Sequence, residues 1–374
     1  MKNYHFLPVF LALLSSYIAL HFYSAAWLAR TFTMAPAAAR ATRIVFLLLA
    51  FFGPFTMFLR HRYPDPSLEL LFIAGYAWMG VILLIGFTLL FSDLLGLGLK
   101  RALSAQGVYF FRIGTLAVLG ALILYAFYGG LKNPALKKIN LSAPGLPAAM
   151  EGLKIAQISD IHLDSSYKLE QLSSIIETVN AQNPDLVLIT GDLVDPGLVV
   201  NARLIGLMHT LKPRLGVFGI LGNHEYYYGY EKSLACYKEL GVRLLLNESA
   251  DTGGIRLTGL SDIMTEKMSE TDVKNILKKH RKAGISILMS HQPLMLDLIA
   301  DAGDFVGFCG HTHRGQIFPF HIFTRMVYKR FYGLYQAKKS FFYVTSGAGT
   351  WGPPMRLFAP AEIPLITLTG DKSR

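Results

Sequence analysis

Five short runs in the carboxyl-terminal part of the chain carry side chains that bind metal ions or move protons. Each run directly follows an apolar segment that predicts a buried strand: KIAQIS, DLVLIT, GVFGIL, ISILMS or DFVGFC. Side chains just past the strand ends of an α/β sheet converge on one crevice, so we expect one cluster of carboxylates, an amide and imidazoles. Five of the eleven histidines lie in these runs, which scattered core histidines would not produce. The runs are Asp160-Ile161-His162, Gly191-Asp192-Leu193-Val194-Asp195, Gly222-Asn223-His224-Glu225, Ser290-His291 and Gly310-His311-Thr312-His313.

This mixture of imidazole and carboxylate groups suits divalent ions such as Mn²⁺, Fe²⁺ and Zn²⁺. Two such ions about 3.5–4 Å apart clamp a phosphoryl group and activate water for in-line attack. Two cations at such a short distance repel each other unless an anion lies between them. Asp192, which follows Gly191, suits that position. Glycines at 191, 222 and 310 let the backbone turn where a side chain would obstruct the metal. The sequence therefore predicts a site for two divalent ions, with Mn, Fe and Zn all left open.

The set DxH, GDxxD, GNHE, a lone histidine and GHTH resembles the calcineurin-like metallophosphoesterase superfamily. Further along, GHTHRGQIFP, FYGLY and FYVTSGAGTWGPPMRLFAPAEIPLITL are similar to the bacterial membrane-associated branch of that superfamily. The resemblance covers about residues 150–370 and none of the first 140. It implies two packed mixed β-sheets flanked by helices, and a metal-dependent phosphoesterase activity.

The resemblance also implies which residues bind each metal ion. One ion would have three ligands from the first and last runs, the other would have three from the middle and late runs, and one carboxylate would bridge them. The first set is Asp160, His162 and His313, the second is Asn223, His291 and His311, and the bridge is Asp192.

Two further residues would carry out proton transfer if the resemblance holds. His224 would contact the phosphate and protonate the leaving oxygen, and Asp195 would orient it. A histidine beside a carboxylate suits this role because it titrates near neutral pH and the carboxylate keeps it protonated. Pro196 departs from the superfamily, which often has arginine there, so any contact of that arginine is lost or supplied by another residue.

The composition divides the chain into a membrane part and a catalytic part. Residues 1–131 are dominated by long apolar runs, and residues 150–374 resemble an ordinary soluble α/β protein. Residues 132–149 contain three prolines and are predicted to be a linker. We therefore expect an amino-terminal transmembrane helical bundle followed by an α/β metallophosphoesterase domain.

The apolar runs predict about four transmembrane helices, with three as the alternative. Residues 3–29, 70–92 and 113–131 contain no Lys, Arg, Asp or Glu. Each run is close to the ~20 residues that a helix needs to span the hydrocarbon core of a bilayer. Residues 44–59 form a shorter run that contains Gly53-Pro54. Core helices and a cleaved signal peptide explain these runs less well, because the runs are long and show no polar face.

The side of the membrane is only weakly indicated by the loop charges. With four spans, the side of the catalytic domain has one more flanking cation than the other, which favours the cytoplasm slightly. Cys236 and Cys309 indicate no disulfide framework and fit either side. The net charge of +11 is attributed to membrane contact and helix anchoring, since no basic helix or RNA-binding signature indicates nucleic acid.

Residues 318–343 combine cations with aromatic residues directly after the last run. We favour a loop and strand that cover the core, and the alternative is a basic, aromatic lip that presents a lipid phosphate to the metals.

The leading functional hypothesis is a membrane-anchored phosphoesterase that acts on a lipid-linked phosphoester or pyrophosphate. The alternatives are a phosphodiesterase for a soluble substrate such as a cyclic nucleotide, and a catalytically silent metal-binding scaffold.

Overall fold

The computed structural model of the chain describes residues 6–63, 65–99, 101–143, 146–280 and 284–370. These residues form two units. One unit contains the chain up to Gly129 together with Gly352–Leu357, and the other contains Gly130–Trp351 and the chain from Phe358 onward. The first unit is built from four long helices: α1 (Phe6–Thr31), α2 (Pro36–Arg62), α3 (Glu69–Leu99) and α4 (Ala105–Leu131).

Within the described residues, α2, α3 and α4 are long and apolar enough to cross a membrane. Helix α2 extends the short predicted run in both directions and keeps Pro54 inside it. The first predicted span starts at residue 3, and residues 3–5 lie outside the described part of the chain. Helix α1 has 26 residues. Whether the chain has four spans or three therefore stays a prediction.

Close contacts between small residues and one polar network hold the helices of this unit together. A Cβ atom added at Gly75 would lie 1.8 Å from Oγ1 of Thr56, so α2 and α3 approach too closely there for a side chain. Asp93 of α3 accepts hydrogen bonds from Tyr23 (2.9 Å), Trp27 (3.0 Å) and Arg30 (3.1 Å) of α1. An acidic group in an apolar helix needs such partners, because an unpaired charge in hydrocarbon is costly.

The second unit contains two six-stranded sheets within the described residues. Its strands are β1 (Ala135–Ser142), β2 (Lys154–Ile158), β3 (Leu186–Thr190), β4 (Val217–Ile220), β5 (Arg243–Leu244), β6 (Glu248–Thr252), β7 (Ile255–Gly259), β8 (Ser286–Met289), β9 (Phe305–Cys309), β10 (Gly333–Ala337), β11 (Ser340–Val344) and β12 (Glu362–Thr369). Its helices are α5 (Ser166–Asn180), α6 (Ala202–Met208), α7 (Asn223–Tyr228), α8 (Tyr230–Glu239), α9 (Glu270–Lys279), α10 (Leu296–Ala302) and α11 (Phe320–Val327). Short 3₁₀ turns occur at Pro66–Leu68 in the first unit and at Ala148–Met150 and His313–Gly315 in the second.

Both sheets are mixed, and their central strands are parallel. The first sheet has the order β1-β12-β2-β3-β4-β5, in which β2 to β5 are parallel and β12 is antiparallel to β2. The second has the order β10-β11-β9-β8-β7-β6, in which β11, β9, β8 and β7 are parallel. Parallel strands place their carboxyl ends at one edge of each sheet, which is where the polar runs begin.

The central strands β3 and β9 are buried along their whole length because both faces of each sheet are covered there. In β3, Val187 and Ile189 pack with helices α5, α6 and α8, whereas Leu186 and Leu188 pack in the core between the sheets. The outer face of the second sheet is covered by α9 and α10. This layered arrangement explains continuous apolar runs in place of alternating ones, and the predicted fold class is confirmed.

The segment that the sequence analysis predicted to be a linker contains a strand. Residues 135–142 form β1, an edge strand whose eight residues pair in parallel with Glu362–Thr369. Prolines at either end of the segment gave the impression of a loop, and the segment's alternating exposure shows an edge strand with one face packed.

Candidate active site

The polar runs meet at the carboxyl ends of five parallel strands, three in one sheet and two in the other. Asp160 and His162 follow β2, Asp192 follows β3, and Asn223 and His224 open helix α7 after β4. From the second sheet, His291 follows β8, and His311 and His313 follow β9. Hydrogen bonds join the turns directly: the amide of His162 donates to the carbonyl of Asp192 (2.9 Å), and the amide of His311 donates to Oδ1 of Asp160 (2.8 Å).

The side chains form overlapping groups with the composition of a metal site. In each group the ligand atoms lie within 4.8 Å of one another. Asp192 belongs to two groups, and its Oδ2 lies 3.1 Å from Nε2 of His291 and 3.8 Å from Nε2 of His162. Oδ1 of Asn223 lies 3.0 Å from Nδ1 of His311. The groups are Asp160, His162 and His313; His162, Asp192 and His224; and Asp192, His291 and His311.

One buried atom supports a fit to divalent cations. Oδ2 of Asp160 has no hydrogen-bond partner among the described residues, although the side chain is buried. Such groups are costly without a partner. Burial lowers the pKa of His311 to about 3, so this imidazole is neutral, as a metal ligand must be. The donors present therefore fit ions that accept mixed nitrogen and oxygen ligands.

Glycine is required at Gly222 and Gly310 because the site's carboxylates occupy the space of a side chain. A Cβ atom at Gly222 would lie 2.2 Å from Oδ1 of Asp192 and 2.7 Å from Nε2 of His291. At Gly310 it would lie 2.2 Å from Oγ of Ser159 and 2.4 Å from Oδ2 of Asp160. The predicted turns at these glycines are present, and the immediate obstacle to a side chain is the Asp192 carboxylate at Gly222 and the Ser159 hydroxyl at Gly310.

The backbone at the site is strained. Asp160, His162, Asp192, His311 and His313 all have φ between 46° and 70°. This left-handed region is unfavourable for residues other than glycine, by about 1–2 kcal/mol each. Tertiary contacts must hold these residues in place, and such clusters of strained residues are typical of functional sites.

His224, a member of the second group, forms a hydrogen-bonded pair with Asp195, which belongs to none of the three groups. Nδ1 of His224 contacts Oδ1 of Asp195, which also lies 3.2 Å from Nδ1 of His162. Burial lowers the pKa of His224, but the hydrogen bond and charge of Asp195 outweigh that effect and raise it to about 9. The His224 imidazole is therefore protonated at neutral pH. Its ring contacts the rings of Tyr227 (centroids 5.2 Å apart) and Trp351 (6.0 Å).

Glu225 has a central structural role that the sequence analysis did not assign. Its Oε2 accepts hydrogen bonds from the amides of Asp192 (2.9 Å) and Gly222 (2.7 Å), and its Oε1 accepts from Leu193 (2.8 Å), Val194 (3.1 Å) and the hydroxyl of Tyr237 (2.9 Å). Burial and the charge of Asp192 raise the pKa of Glu225 to about 7, and the amides oppose that rise. The position of Glu225 directly after His224 in the GNHE run was the one feature of the sequence that could have indicated this role.

Lys168 is a second residue that the sequence analysis missed. It is 1 % exposed, its Nζ donates to the carbonyl of His162 (2.8 Å), and it lies 3.2 Å from Oδ1 of Asp164. The contact fixes the turn that carries His162. Nothing in the local sequence distinguishes this lysine from those on the surface of a helix.

Comparison with known proteins agrees with this geometry. Residues 153–315 match the profile of the family described as calcineurin-like phosphoesterase. The chain is 36 % identical over 264 residues to an uncharacterized metallophosphoesterase of Campylobacter jejuni, covering 69 % of this chain and 70 % of that one. It is 35 % identical over 263 residues to an uncharacterized metallophosphoesterase of Helicobacter pylori, with coverage of 69 % and 70 %.

The name of one eukaryotic relative includes both a transmembrane part and a metallophosphoesterase domain. A transmembrane protein with metallophosphoesterase domain from Danio rerio is 29 % identical over 327 residues, covering 81 % of this chain and 75 % of that protein. The shared profile, the bacterial relatives and the cluster of metal-type ligands at the strand ends lead to one conclusion: the chain belongs to the calcineurin-like phosphoesterase family of metal-dependent phosphoester hydrolases.

Proposed function

We propose that this chain is a membrane-anchored phosphoesterase that uses two divalent ions, and that His224 is its general acid. The observation that carries the proposal is the separation of two kinds of group within one cluster. Asp192 lies near the imidazoles of His291 and His162, whereas His224 is hydrogen-bonded to Asp195, which keeps it protonated. A catalytically silent scaffold would have no need of that protonated histidine.

The proposed roles follow from the positions of the side chains. Asp160, His162 and His313 would hold one ion, and Asn223, His291 and His311 would hold the other, with Asp192 between them. Divalent ions bound there supply Lewis-acid chemistry that offsets the charge of a phosphoryl group.

The exposure of His224 supports a contact with the substrate. Its side chain is 12 % exposed, whereas those of His162 and His291 are 1 % and 0 % exposed. Asp195 occupies Nδ1 of His224, so Nε2 is left to deliver a proton to the leaving oxygen. After that transfer, the charge of Asp195 favours reprotonation of the imidazole.

The two roles are tested with two variants of the full-length protein. The assay is hydrolysis of p-nitrophenyl phosphate and bis-p-nitrophenyl phosphate with Mn²⁺, Fe²⁺ or Zn²⁺, and elemental analysis gives the bound metal. His224→Ala should keep two ions per chain and lose about 10²–10⁴-fold in kcat, the usual contribution of a general acid. Asp192→Ala should lose both ions, because it removes the bridge. Full metal occupancy in the Asp192 variant would contradict the bridging role, and an unchanged rate in the His224 variant would contradict the acid.

We propose a lipid-linked phosphoester or pyrophosphate as the substrate class. The membrane helices support this, since attachment to a bilayer raises the effective concentration of membrane substrates. The test compares one headgroup on a long-chain lipid in the same bilayer and on a water-soluble short-chain analogue. A higher kcat/KM for the bilayer substrate is expected, and equal values, or a preference for a cyclic nucleotide, would favour the soluble-substrate alternative.

We propose a location in the cell membrane with the catalytic unit on the cytoplasmic side. The support is the one-cation difference between the flanking loops. A carboxyl-terminal reporter that is active only outside the cytoplasm should stay inactive. Strong activity of that reporter would reverse the assignment.

A further inference from the structure

Helix α11 carries its apolar side chains on the outside of the protein. No residue of α11 is buried. Met326 is 78 % exposed, Val327 is 70 % exposed, and Phe320, Ile322 and Phe323 are 40–50 % exposed. At 100° per residue, these five side chains occupy one continuous side of the helix, and His321, Thr324 and Arg325 occupy the other.

The orientation of α11 is the reverse of that of a helix packed on a core. His321 and Thr324, on the polar side, are its least exposed residues. The polar side lies against the protein: the backbone of His321 is so close to Gly315 that a Cβ atom there would approach it to 2.3 Å. By contrast, helix α9 buries its apolar Val273 and Leu277 and exposes its charges. The apolar side of α11 therefore needs a partner other than the catalytic unit itself.

The charged residues next to α11 in the sequence are all positive. Between Asp304 and Glu362 the sequence contains no aspartate and no glutamate. Arg325 within the helix and Lys329 just after it are exposed. An apolar helix side bordered by cations is the pattern of helices that lie in the interface of an anionic bilayer.

The flanking residues connect α11 to the active site. His313 lies in the turn that precedes the helix. Tyr328, which follows it, packs its ring against that of His311 (centroids 5.4 Å apart) and donates a hydrogen bond to Gln292 (3.1 Å). Both ends of α11 are thus fixed to elements that carry the metal-type ligands.

We propose that α11 lies in the headgroup region of an anionic bilayer, with Phe320, Ile322, Phe323, Met326 and Val327 in contact with the lipid. The bilayer is the occupant favoured by the charges, and the same chain carries helices that are long and apolar enough to cross a membrane. This contact is a second, peripheral attachment of the catalytic unit, distinct from the helical anchor. It does not depend on which reaction the site performs.

The test measures the depth of one side chain in full-length protein. Met326→Cys is labelled with a nitroxide, and Asn275→Cys, an exposed position on α9, is the matched control. Both native cysteines are buried and escape the label. The proteins are placed in nanodiscs of phosphatidylcholine alone or with phosphatidylglycerol, and the accessibility of the label to oxygen and to a polar nickel chelate is measured by electron paramagnetic resonance.

At position 326 we expect oxygen to relax the label several-fold more than the nickel chelate in discs that contain phosphatidylglycerol, and position 275 to show the opposite preference. Polar accessibility at 326 like that at 275 would overturn the proposal. Equal values at 326 with and without phosphatidylglycerol would overturn recognition of negative charge. Dipolar broadening between labels at 326 would show that a second copy of the chain covers the helix instead. None of these measurements depends on catalytic turnover, so they test the position of α11 independently of the proposed function.

Discussion

Substituting Gly222 by alanine tests whether the site's geometry depends on the space that the glycine leaves. The new methyl group would lie 2.2 Å from Oδ1 of Asp192 and 2.8 Å from its backbone nitrogen. The carboxylate must move by about 0.8 Å or more to restore a contact of 3.0 Å, and a misplacement near 1 Å costs about 10²-fold in rate. Gly222 has φ of −97°, so alanine adds no backbone strain. We therefore expect a folded protein with about 10²-fold lower kcat/KM and weaker metal binding.

The assay for Gly222→Ala combines hydrolysis of bis-p-nitrophenyl phosphate with elemental analysis after dialysis. The matched control is Gly206→Ala in α6, where an added Cβ meets nothing within 4 Å. That control should keep full activity and gain about 0.5–1 kcal/mol of stability, because alanine is favoured over glycine inside a helix. If the Gly222 variant kept full metal content and activity within a few-fold of the unmodified protein, Asp192 would not be held where the reasoning requires it.

Two further substitutions test the groups that support the site. Glu225→Gln should lower the free energy of unfolding by about 2–6 kcal/mol at pH 8, which is above the pKa of about 7 of this carboxyl. At least two of the five hydrogen bonds are lost, because the NH₂ group of glutamine donates and does not accept, and each loss costs about 1–3 kcal/mol. Denaturant titration against the exposed control Glu239→Gln measures the difference, and equal stabilities would contradict the network. Asp195→Asn removes the charge that raises the pKa of His224, so that pKa should fall and the alkaline limb of the pH–rate profile should move to lower pH. An unmoved limb at unchanged metal content would show that His224 is not the titrating acid.

The sequence predicted the convergence at the site because each polar run follows a strand that is buried on both faces. Such strands are largely apolar, so their ends are easy to recognise in the sequence even when the order and register of the strands are unknown. Glu225 and Lys168 escaped prediction for a different reason. Their importance lies in contacts with backbone groups of distant turns, and those contacts leave no local pattern in the sequence.

Residues 318–343 show a similar limit. We favoured a loop and strand, and the structure contains helix α11 followed by strands β10 and β11. The aromatic residues suggested burial, yet Phe320 and Phe323 are exposed while Phe342 is fully buried. Composition alone does not show which aromatic side chains face inward, because that depends on the path of the chain over the sheet.

The pairing of β1 with β12 has a consequence for biosynthesis. Strand β1 is at the edge of its sheet, and β12, its neighbour, is the last strand that the structure describes. The ribosome adds residues at about 5–20 per second, so β1 waits roughly 10 to 45 s before its partner emerges. During that interval an unpaired strand edge is exposed to other nascent chains. Messages that end early, before residue 362, would release a protein with its four long helices complete and this edge permanently open, which makes such products prone to pair with other chains.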